Sequence, residues 1–163
     1  MKKSKTLVLG VNYKGVENYA KDYFKSIVDQ DTDQFDLLIL NDNTASLKLG
    51  EMNVNVDEIM ISEDKSPALI RYDGLNYAIS NNYQNLIFSD LDDFFSINRI
   101  SLSIRELEKY DFVFNEIHLI DQNSEIIDEN YLYKICLGKN VNSFYQILDY
   151  NCLGLTHTGI NLE

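Results

Sequence analysis

The sequence predicts an α/β protein with a mostly parallel, doubly wound sheet that carries helices on both faces. Short apolar runs, too short to be helices, alternate along the chain with longer segments whose apolar residues recur at helical spacing. These runs barely alternate between polar and apolar residues, which is typical of strands buried on both faces of a parallel sheet. Of the 163 residues, 45% are hydrophobic, which favours a folded globular domain over a disordered chain.

The first strand is predicted over residues 6–11, and the helix that follows it over about residues 16–29. A second buried strand is expected over residues 35–40. Two strands separated by one helix form a βαβ unit, which predicts a parallel pair with a right-handed crossover. Residues 45–57 read as irregular, and residues 58–61 as a short third strand.

A helix start is marked by Ser66 and Pro67, because serine caps helices and proline is favoured at the first helical position. This helix is expected to reach about residue 82, and the next strand to occupy residues 86–89. The side chains that we expect the helix to bury are Leu69, Ile70, Leu75, Ala78 and Ile79.

The remaining pattern predicts a helix over residues 97–109 capped by Ser96, then a strand from residue 112 that continues to residue 120. Two further helical patterns occupy about residues 131–137 and 141–148. Residues 153–162 read as a terminal strand.

The charge balance excludes some partners. The net charge is −12, from 14 basic and 26 acidic residues, whereas nucleic acids and anionic membranes attract basic surfaces. Two cysteines are too few for a disulfide framework, and no segment approaches the ~20 apolar residues of a membrane span. We therefore expect a cytoplasmic protein without a membrane span and without a nucleic-acid partner.

Three carboxylates follow the strand at residues 86–89. Side chains alternate along an extended segment, so Asp90 and Asp92 are expected on one side and Asp93 on the other. Neighbouring carboxylates repel each other unless a proton or a cation lies between them, and a hard divalent ion with oxygen ligands meets that need. The alternative is an acidic, solvated turn.

Other strands end in polar groups as well. Asn12 and Tyr13 follow the first strand, where an amide and an aromatic ring could hold a planar base, and Asp42 follows the second. Parallel strands bring their carboxyl ends to one edge of the sheet, where ligands bind in folds of this kind. This shared position favours one binding site over three unrelated turns.

Five segments also match, in order and at fitting spacing, the motifs of one known family: Val11-Asn12-Tyr13-Lys14, Ser26-Ile27-Val28-Asp29-Gln30, Leu38-Ile39-Leu40-Asn41-Asp42-Asn43-Thr44, Leu75-Asn76-Tyr77-Ala78-Ile79 and Phe88-Ser89-Asp90-Leu91-Asp92-Asp93. They resemble the family-2 nucleotide-sugar glycosyltransferases, which have the GT-A fold and a DxD motif. The similarity extends over residues 5 to about 125.

The resemblance implies a Rossmann-like domain that transfers a sugar from a nucleoside-diphosphate sugar, a UDP-sugar first of all, to an acceptor hydroxyl with inversion. The acceptor, whether glycan, lipid or protein, stays open. It implies a divalent cofactor, Mn²⁺ or Mg²⁺, held by Asp90 and Asp92. The nucleotide-sugar-binding residues that it implies are Val11, Asn12, Tyr13, Asp42, Arg71, Asn76 and Asp90.

The chain also departs from the family pattern. Val11 replaces a proline and Asn41 replaces one carboxylate of an acidic pair. Leu75 stands where the family has an arginine. Arg71, one helical turn earlier, could reach the same space or could be an ordinary exposed helix charge.

The family's catalytic base lies on a segment well downstream of the DxD motif, and no residue here matches it. Glu116 and Asp149 are the acidic candidates, each explained equally well or better as a strand or helix-end residue. His157 could approach a diphosphate if the terminal strand returns to the site; the alternative is a polar surface. We therefore expect one domain over residues 1–163, truncated at its C-terminus. The alternative function is a non-catalytic module that binds nucleotide-sugars or serves as an interaction domain.

Overall fold

The computed structural model of the protein describes residues 5–46, 52–61, 64–134 and 154–163. Within these residues it contains a six-stranded sheet and a separate two-stranded hairpin. The elements, in chain order, are β1 (Thr6–Asn12), α1 (Ala20–Val28), β2 (Asp36–Asn41), β3 (Val56–Met60), α2 (Pro67–Ser80), β4 (Asn85–Phe88), α3 (Arg99–Leu107), β5 (Phe112–Phe114), β6 (Leu119–Ile120), β7 (Ile126–Asp128), a short 3₁₀ helix (Leu155–His157) and β8 (Thr158–Asn161).

The large sheet has the strand order β3-β2-β1-β4-β8-β5. Strands β1 to β4 are all parallel, with Val8 of β1 lying between Leu37 of β2 and Ile87 of β4. Strand β8 is inserted antiparallel between β4 and β5. Because β4 and β5 both run opposite to β8, they run parallel to each other. The carboxyl ends of β1, β2, β4 and β5 therefore meet at one edge, which we call the carboxyl edge.

Each face of the sheet has its own apolar core, which confirms the predicted class. On one face, α1 and α3 cover the outward side chains of β1, β2 and β4, with Tyr23 and Ile100 fully buried among them. On the other face, Ile70 and Ala78 of α2 pack on Leu7, Leu9 and Leu38. Burying both faces explains the continuous apolar runs of β1 and β2.

Two glycines allow close packing on β1. A Cβ atom on Gly10 would lie 2.7 Å from Leu91 Cδ1, and one on Gly74 would lie 2.3 Å from Leu9 Cδ2. Leu91 belongs to the segment after β4, so the missing side chain of Gly10 lets that segment fold back over β1. This is how the carboxyl edge receives its acidic loop.

The predicted elements up to α3 are found, mostly within one or two residues of their expected bounds. Three details of these helices were wrong. Helix α1 begins at Ala20 rather than near residue 16, since turns occupy the residues before it. Helix α3 follows Asn98, whose side chain makes no cap hydrogen bond, rather than Ser96.

The third correction concerns α2. Leu69 and Ile79 are each 53% exposed, although both were expected in the core. The buried stripe is instead Ile70, Gly74 and Ala78, which are spaced four residues apart. Helix α2 has apolar residues on two faces, so helical spacing alone could not select the buried one. The Ser66 cap is confirmed, because its side chain accepts a hydrogen bond from the Leu69 backbone N–H.

The region after β5 also differs from the prediction. The strand stops at Phe114, and residues 119–120 pair with β7 in the separate hairpin. Residues 131–134 form a helical turn; the rest of the two predicted late helices, 135–137 and 141–148, lies outside the described residues. The terminal strand is confirmed as β8, shorter than expected. Among the described helices, none has the length and apolarity needed to cross a bilayer.

Candidate functional site

The segment after β4, residues 89–95, is the acid loop, and buried hydrogen bonds fix where it starts. Ser89 Oγ donates to the Leu9 carbonyl oxygen at 2.9 Å. Since that uses the only hydroxyl proton of Ser89, the 2.7 Å contact with Tyr23 must be donated by the tyrosine hydroxyl. Burial raises the pKa of Tyr23, so this hydroxyl stays protonated. The acid loop is thereby tied to both β1 and α1.

The far end of the acid loop is held by α1 and by Gln30, two residues beyond its end. Ser26 Oγ accepts a hydrogen bond from the Phe95 backbone N–H at 3.0 Å. Gln30 donates to the Ser96 carbonyl oxygen at 2.9 Å and accepts from the Ile100 N–H at 3.0 Å. Ser26 and Gln30 belong to one of the segments that resemble the family motifs, but the sequence indicates no role for them. Their pairing in that motif was the available signal, and the structure shows that they position the acid loop.

Asp90 forms an ion pair with Arg71 of α2, at 2.5 Å between Asp90 Oδ1 and Arg71 Nη2. The two side chains are only 22% and 18% exposed, respectively. Arg71 is therefore not an ordinary exposed helix charge. Because α2 and α1 lie on opposite faces of the sheet, Arg71 partly neutralises the acid loop from the face opposite α1.

Tyr13, which follows β1, lies against the same carboxylates. Its pKa is raised to about 12 by partial burial, by hydrogen bonding to Asp92 and by the charges of Asp92, Asp90 and Asp93. The ring is partly buried, whereas Asp92 and Asp93 are classed as exposed. The structure thus brings Tyr13, Asp90 and Asp92 together, as the shared sheet edge predicts.

Strand β8 brings the end of the described chain to the acid loop. Thr156 donates a hydrogen bond from its hydroxyl to Asp93 Oδ2 at 2.5 Å. Neighbouring protein atoms displace part of the water around the Asp93 carboxylate, and this desolvation raises its pKa. The hydrogen bond from Thr156 opposes that rise, the charges of Asp92 and Asp90 add to it, and the nearby His157 opposes it. His157 is 6% exposed, and its Nε2 accepts from the Gly154 N–H at 3.1 Å. The polar-surface interpretation of His157 was therefore wrong.

The last two residues of β1 are buried. Val11 is 4% exposed and lies in the core under α2. Asn12 is 1% exposed, and its Nδ2 donates to the Ala45 carbonyl oxygen at 3.2 Å, which fastens β1 to the loop after β2. The side chains of both residues shape the turn that presents Tyr13.

Asn41, where the family has a carboxylate, is fully buried and has a structural role. Its Oδ1 accepts from the N–H and the hydroxyl of Thr44, both at 2.9 Å, and its Nδ2 donates to Glu58 Oε1 at 2.7 Å. A carboxylate here would face Glu58 with no proton between them. Asp42 comes next and is partly buried, with its N–H bonded to the Asn12 carbonyl oxygen at 2.8 Å.

Asn76 does not join this group. It is exposed on α2, five residues after Arg71 and hence about 140° around the helix from it. Glu116 is also engaged elsewhere, because its carboxylate accepts from the backbone N–H groups of Leu132 and Tyr133 at 2.7 and 2.9 Å. It caps the helical turn at residues 131–134.

The donor set suits a hard divalent cation that shares its ligands with a phosphate. No group of three or more histidine, cysteine or acidic side chains is arranged to hold a metal ion in the part of the chain that the structure describes. Asp90 and Asp92 offer carboxylate oxygens from one short loop. Mg²⁺ and similar ions bind through one or two protein carboxylates when phosphate oxygens and water complete the shell, so these two residues fit such an ion.

The sequence matches no protein-family model and no curated protein. Solved structures do resemble it. TarS 1–349 of S. aureus has a TM-score of 0.61 and 18% identity, covering 98% of this chain and 47% of that one. The same protein in complex with UDP-GlcNAc gives 0.58 and 17%, covering 74% and 36%. The mannosyltransferase PcManGT from Pyrobaculum calidifontis, in complex with GDP-Man and Mn²⁺, gives 0.53 and 10%, covering 74% and 37%.

At these identities the comparison shows the fold alone: the chain has the α/β fold of GT-A-type glycosyltransferases. The chain spans less than half the length of the structures it resembles.

Proposed function

We propose that this chain is the nucleotide-sugar-binding part of a glycosyltransferase, which transfers a sugar from a nucleoside-diphosphate sugar to an acceptor hydroxyl. The observation that carries the proposal is the group of Tyr13, Asp90 and Asp92 at the carboxyl edge, with Arg71 as its cation. A cluster of carboxylates partly balanced by one arginine suits a ligand that brings both phosphates and a cation. The GT-A-type fold supports the same class.

In this proposal the nucleotide base lies over the ends of β1 and β2. The partly buried ring of Tyr13 supplies a flat surface, and Asp42 can accept a hydrogen bond from an imide N–H, which favours uracil and hence a UDP-sugar. Val11 and Asn12, both buried, form the end of β1 beneath the base. Asp90 reaches the ribose or the cation. Asn76 is left out of the set, since it lies on another side of α2 from Arg71.

Mn²⁺ or Mg²⁺ would be held by Asp92 and Asp90. Such an ion, when bound, offsets the negative charge that develops on a departing nucleoside diphosphate. Arg71 is a cationic side chain that lies against Asp90, so it can contact phosphate oxygens without a metal.

We propose transfer with inversion by direct displacement. The acceptor oxygen attacks the anomeric carbon while the bond from that carbon to the diphosphate oxygen breaks. A general base takes the acceptor proton. Two described carboxylates are engaged elsewhere, because Glu116 caps a helical turn and Asp93 is hydrogen-bonded to Thr156, and no base is identified among the described residues.

The lack of an identifiable base in the described residues favours the second candidate function, a module that binds nucleotide-sugars without turning them over. An assay for hydrolysis and for transfer separates the two. Binding of UDP-sugar with neither reaction would support the module.

The test of the site is calorimetric titration of the protein with UDP in the presence of Mn²⁺. Asp92→Asn should weaken UDP binding by at least ~10-fold, equivalent to about 1.4 kcal/mol, because it removes a metal ligand and keeps the side-chain shape. Glu108→Gln, which removes an exposed carboxylate after α3, is the matched control and should bind as the wild type does. Equal affinity for Asp92→Asn and the control would refute the assignment.

A further inference from the structure

Arg99, the first residue of α3, is a buried cation outside the group of Tyr13, Arg71, Asp90 and Asp92. It is 5% exposed, and its guanidinium lies 5.3 Å from the ring centroid of Phe95, in the acid loop. Its Nη1 donates to Ser103 Oγ and to Asn115 Oδ1, both at 2.5 Å. Its Nη2 is buried and has no hydrogen-bond partner among the residues that the structure describes.

The hydrogen-bond partners of Arg99 carry no negative charge. Both acceptors are neutral, and no described carboxylate forms an ion pair with it, although the chain has 26 acidic residues. Burial lowers the pKa of Arg99 to about 10, so the group is still charged at neutral pH. An unpaired buried charge destabilises a fold by a large fraction of the small net stability of a domain of this size. A purely structural role would be served better by an apolar side chain of similar volume.

The position of Arg99 indicates what its charge could serve. Asn115 follows β5, so the guanidinium lies near the carboxyl end of β5, two strands from β4 and about 10 Å along the sheet edge. In the function proposed above, the base lies over β2 and β1 and the diphosphate at the acid loop after β4. The sugar then extends toward β8 and β5, and the acceptor approaches from that side.

We propose that Arg99 binds an oxyanion, a phosphate or carboxylate, carried by the acceptor molecule. Arginine binds such groups through two parallel hydrogen bonds, which are stronger than its bonds to a serine hydroxyl or an amide. Since Nη2 is covered, anion binding at Arg99 requires a local displacement of Phe95 or Asn115, the residues that contact its guanidinium. The identification of the anion's carrier as the acceptor rests on the proposed function, whereas anion binding at Arg99 does not.

The first experiment measures anion binding without nucleotide or metal. The melting temperature of the protein is followed in EDTA as inorganic phosphate, or separately acetate, replaces chloride at constant ionic strength. Phosphate should raise the wild-type melting temperature progressively, and the rise should disappear in Arg99→Met. Arg105→Met, on the same helix but exposed, is the matched control and should keep the rise. Acetate shows whether a carboxylate is bound as well.

Arg71→Met separates Arg99 from the donor site. If the phosphate effect is lost in Arg71→Met and kept in Arg99→Met, the anion binds at the donor site and the proposal fails. It also fails if phosphate has no effect on the wild type. Without phosphate, Arg99→Met should melt at the same temperature as the wild type or higher, because an unpaired buried charge is removed. A lower melting temperature would indicate a structural arginine. If Arg99→Met does not fold, Arg99→Lys decides, since it keeps the charge but should bind phosphate more weakly.

The second experiment tests the acceptor role with UDP-sugar as donor and with glucose, glucose 6-phosphate and glucuronic acid as acceptor probes. Arg99→Met should lower kcat/KM at least ~10-fold for the anionic probes and leave glucose unchanged. An equal fall for all three probes would overturn the assignment. If the wild type transfers sugar to none of the three probes, the proposed transfer to acceptors of this kind is refuted. The phosphate titration still decides whether Arg99 binds anions.

Discussion

The carboxylates at the two edges of the main sheet lie in different environments. At the amino edge, where β2 begins, Asp36 is 5% exposed and accepts from the Tyr83 hydroxyl at 2.9 Å and from Asn55 Nδ2 at 2.8 Å. At the carboxyl edge, Asp90 is paired with a cation, and Asp92 lies exposed beside it. Two neutral donors of the fold itself hydrogen-bond to the first group. The second has charges that an external ligand could complete.

The difference separates a structural acid from a binding acid. A buried carboxylate that serves the fold is surrounded by donors that do not leave, since losing one costs the full desolvation of the others. A carboxylate that serves a ligand must stay accessible and keep its charge, even where like charges repel. Partial burial, a hydrogen bond to Asp92 and the charges of the three acids within residues 90–93 all raise the pKa of Tyr13, so these like charges act on the same group. Stability measurements can test this contrast.

The largest expected effect is at the amino edge. Asp36→Ala should lower the free energy of unfolding by about 3 kcal/mol, because the Tyr83 hydroxyl and the Asn55 amide both lose a charged acceptor in a buried place. Urea unfolding at neutral pH measures this. UDP affinity in the presence of Mn²⁺ should stay at the wild-type value.

Asp36→Asn is the control, because an amide oxygen can still accept one of the two hydrogen bonds. Its loss should fall between those of the wild type and the alanine variant. A stable Asp36→Ala would mean that the amino edge does not depend on this acid, and the contrast between the edges would fail.

A smaller effect on stability is expected near the same edge at Tyr77, whose hydroxyl donates to Asp57 at 2.8 Å. Partial burial, this hydrogen bond and the charges of Asp57 and Asp36 raise the pKa of Tyr77 to about 12. The unfolded value is about 10, so the contribution of the hydroxyl is complete below pH 10 and is lost as the pH rises through 12. Tyr77→Phe should cost about 1 kcal/mol at pH 8, and the cost should shrink above pH 10.

Urea unfolding between pH 8 and pH 11 tests this, with Tyr72→Phe as control, since Tyr72 is 57% exposed on the same helix. Only the Tyr77 variant should show the pH-dependent difference. A constant difference across the range would mean that the hydroxyl does not bond the ionised Asp57.

The contrast between the edges also explains how far the sequence could be interpreted. The strands were predictable because burial on both faces leaves an unbroken apolar run, and parallel order follows from the βαβ unit. The group of Tyr13, Asp90 and Asp92 followed from that topology. Arg71 was left open, because residue spacing on a helix does not show which face meets the sheet when two faces are apolar.

Residues whose role depends on distant partners were beyond the sequence. Asn41 is separated by 17 positions from Glu58, and Ser26 by 69 from Phe95. His157 was placed on a polar surface because nothing local shows that β8 returns between β4 and β5. Arg99 could not be identified from the sequence, since a buried unpaired arginine has the same local pattern as a solvated one. Each of these pairings arises from tertiary structure.

The smallest stability effect, and the sharpest test of the contrast, is expected at the carboxyl edge. Asp92→Asn should leave the free energy of unfolding unchanged or slightly raised, because the amide keeps a hydrogen-bonding partner for Tyr13 and removes one of three neighbouring negative charges. The same variant should lose UDP affinity, so binding and stability move in opposite directions, as expected where a site is maintained at the expense of the fold. Urea unfolding without metal, beside Glu108→Gln, measures the stability term. A loss as large as that of Asp36→Ala would show that Asp92 holds the acid loop together, and the carboxylates of the two edges would then serve the same purpose.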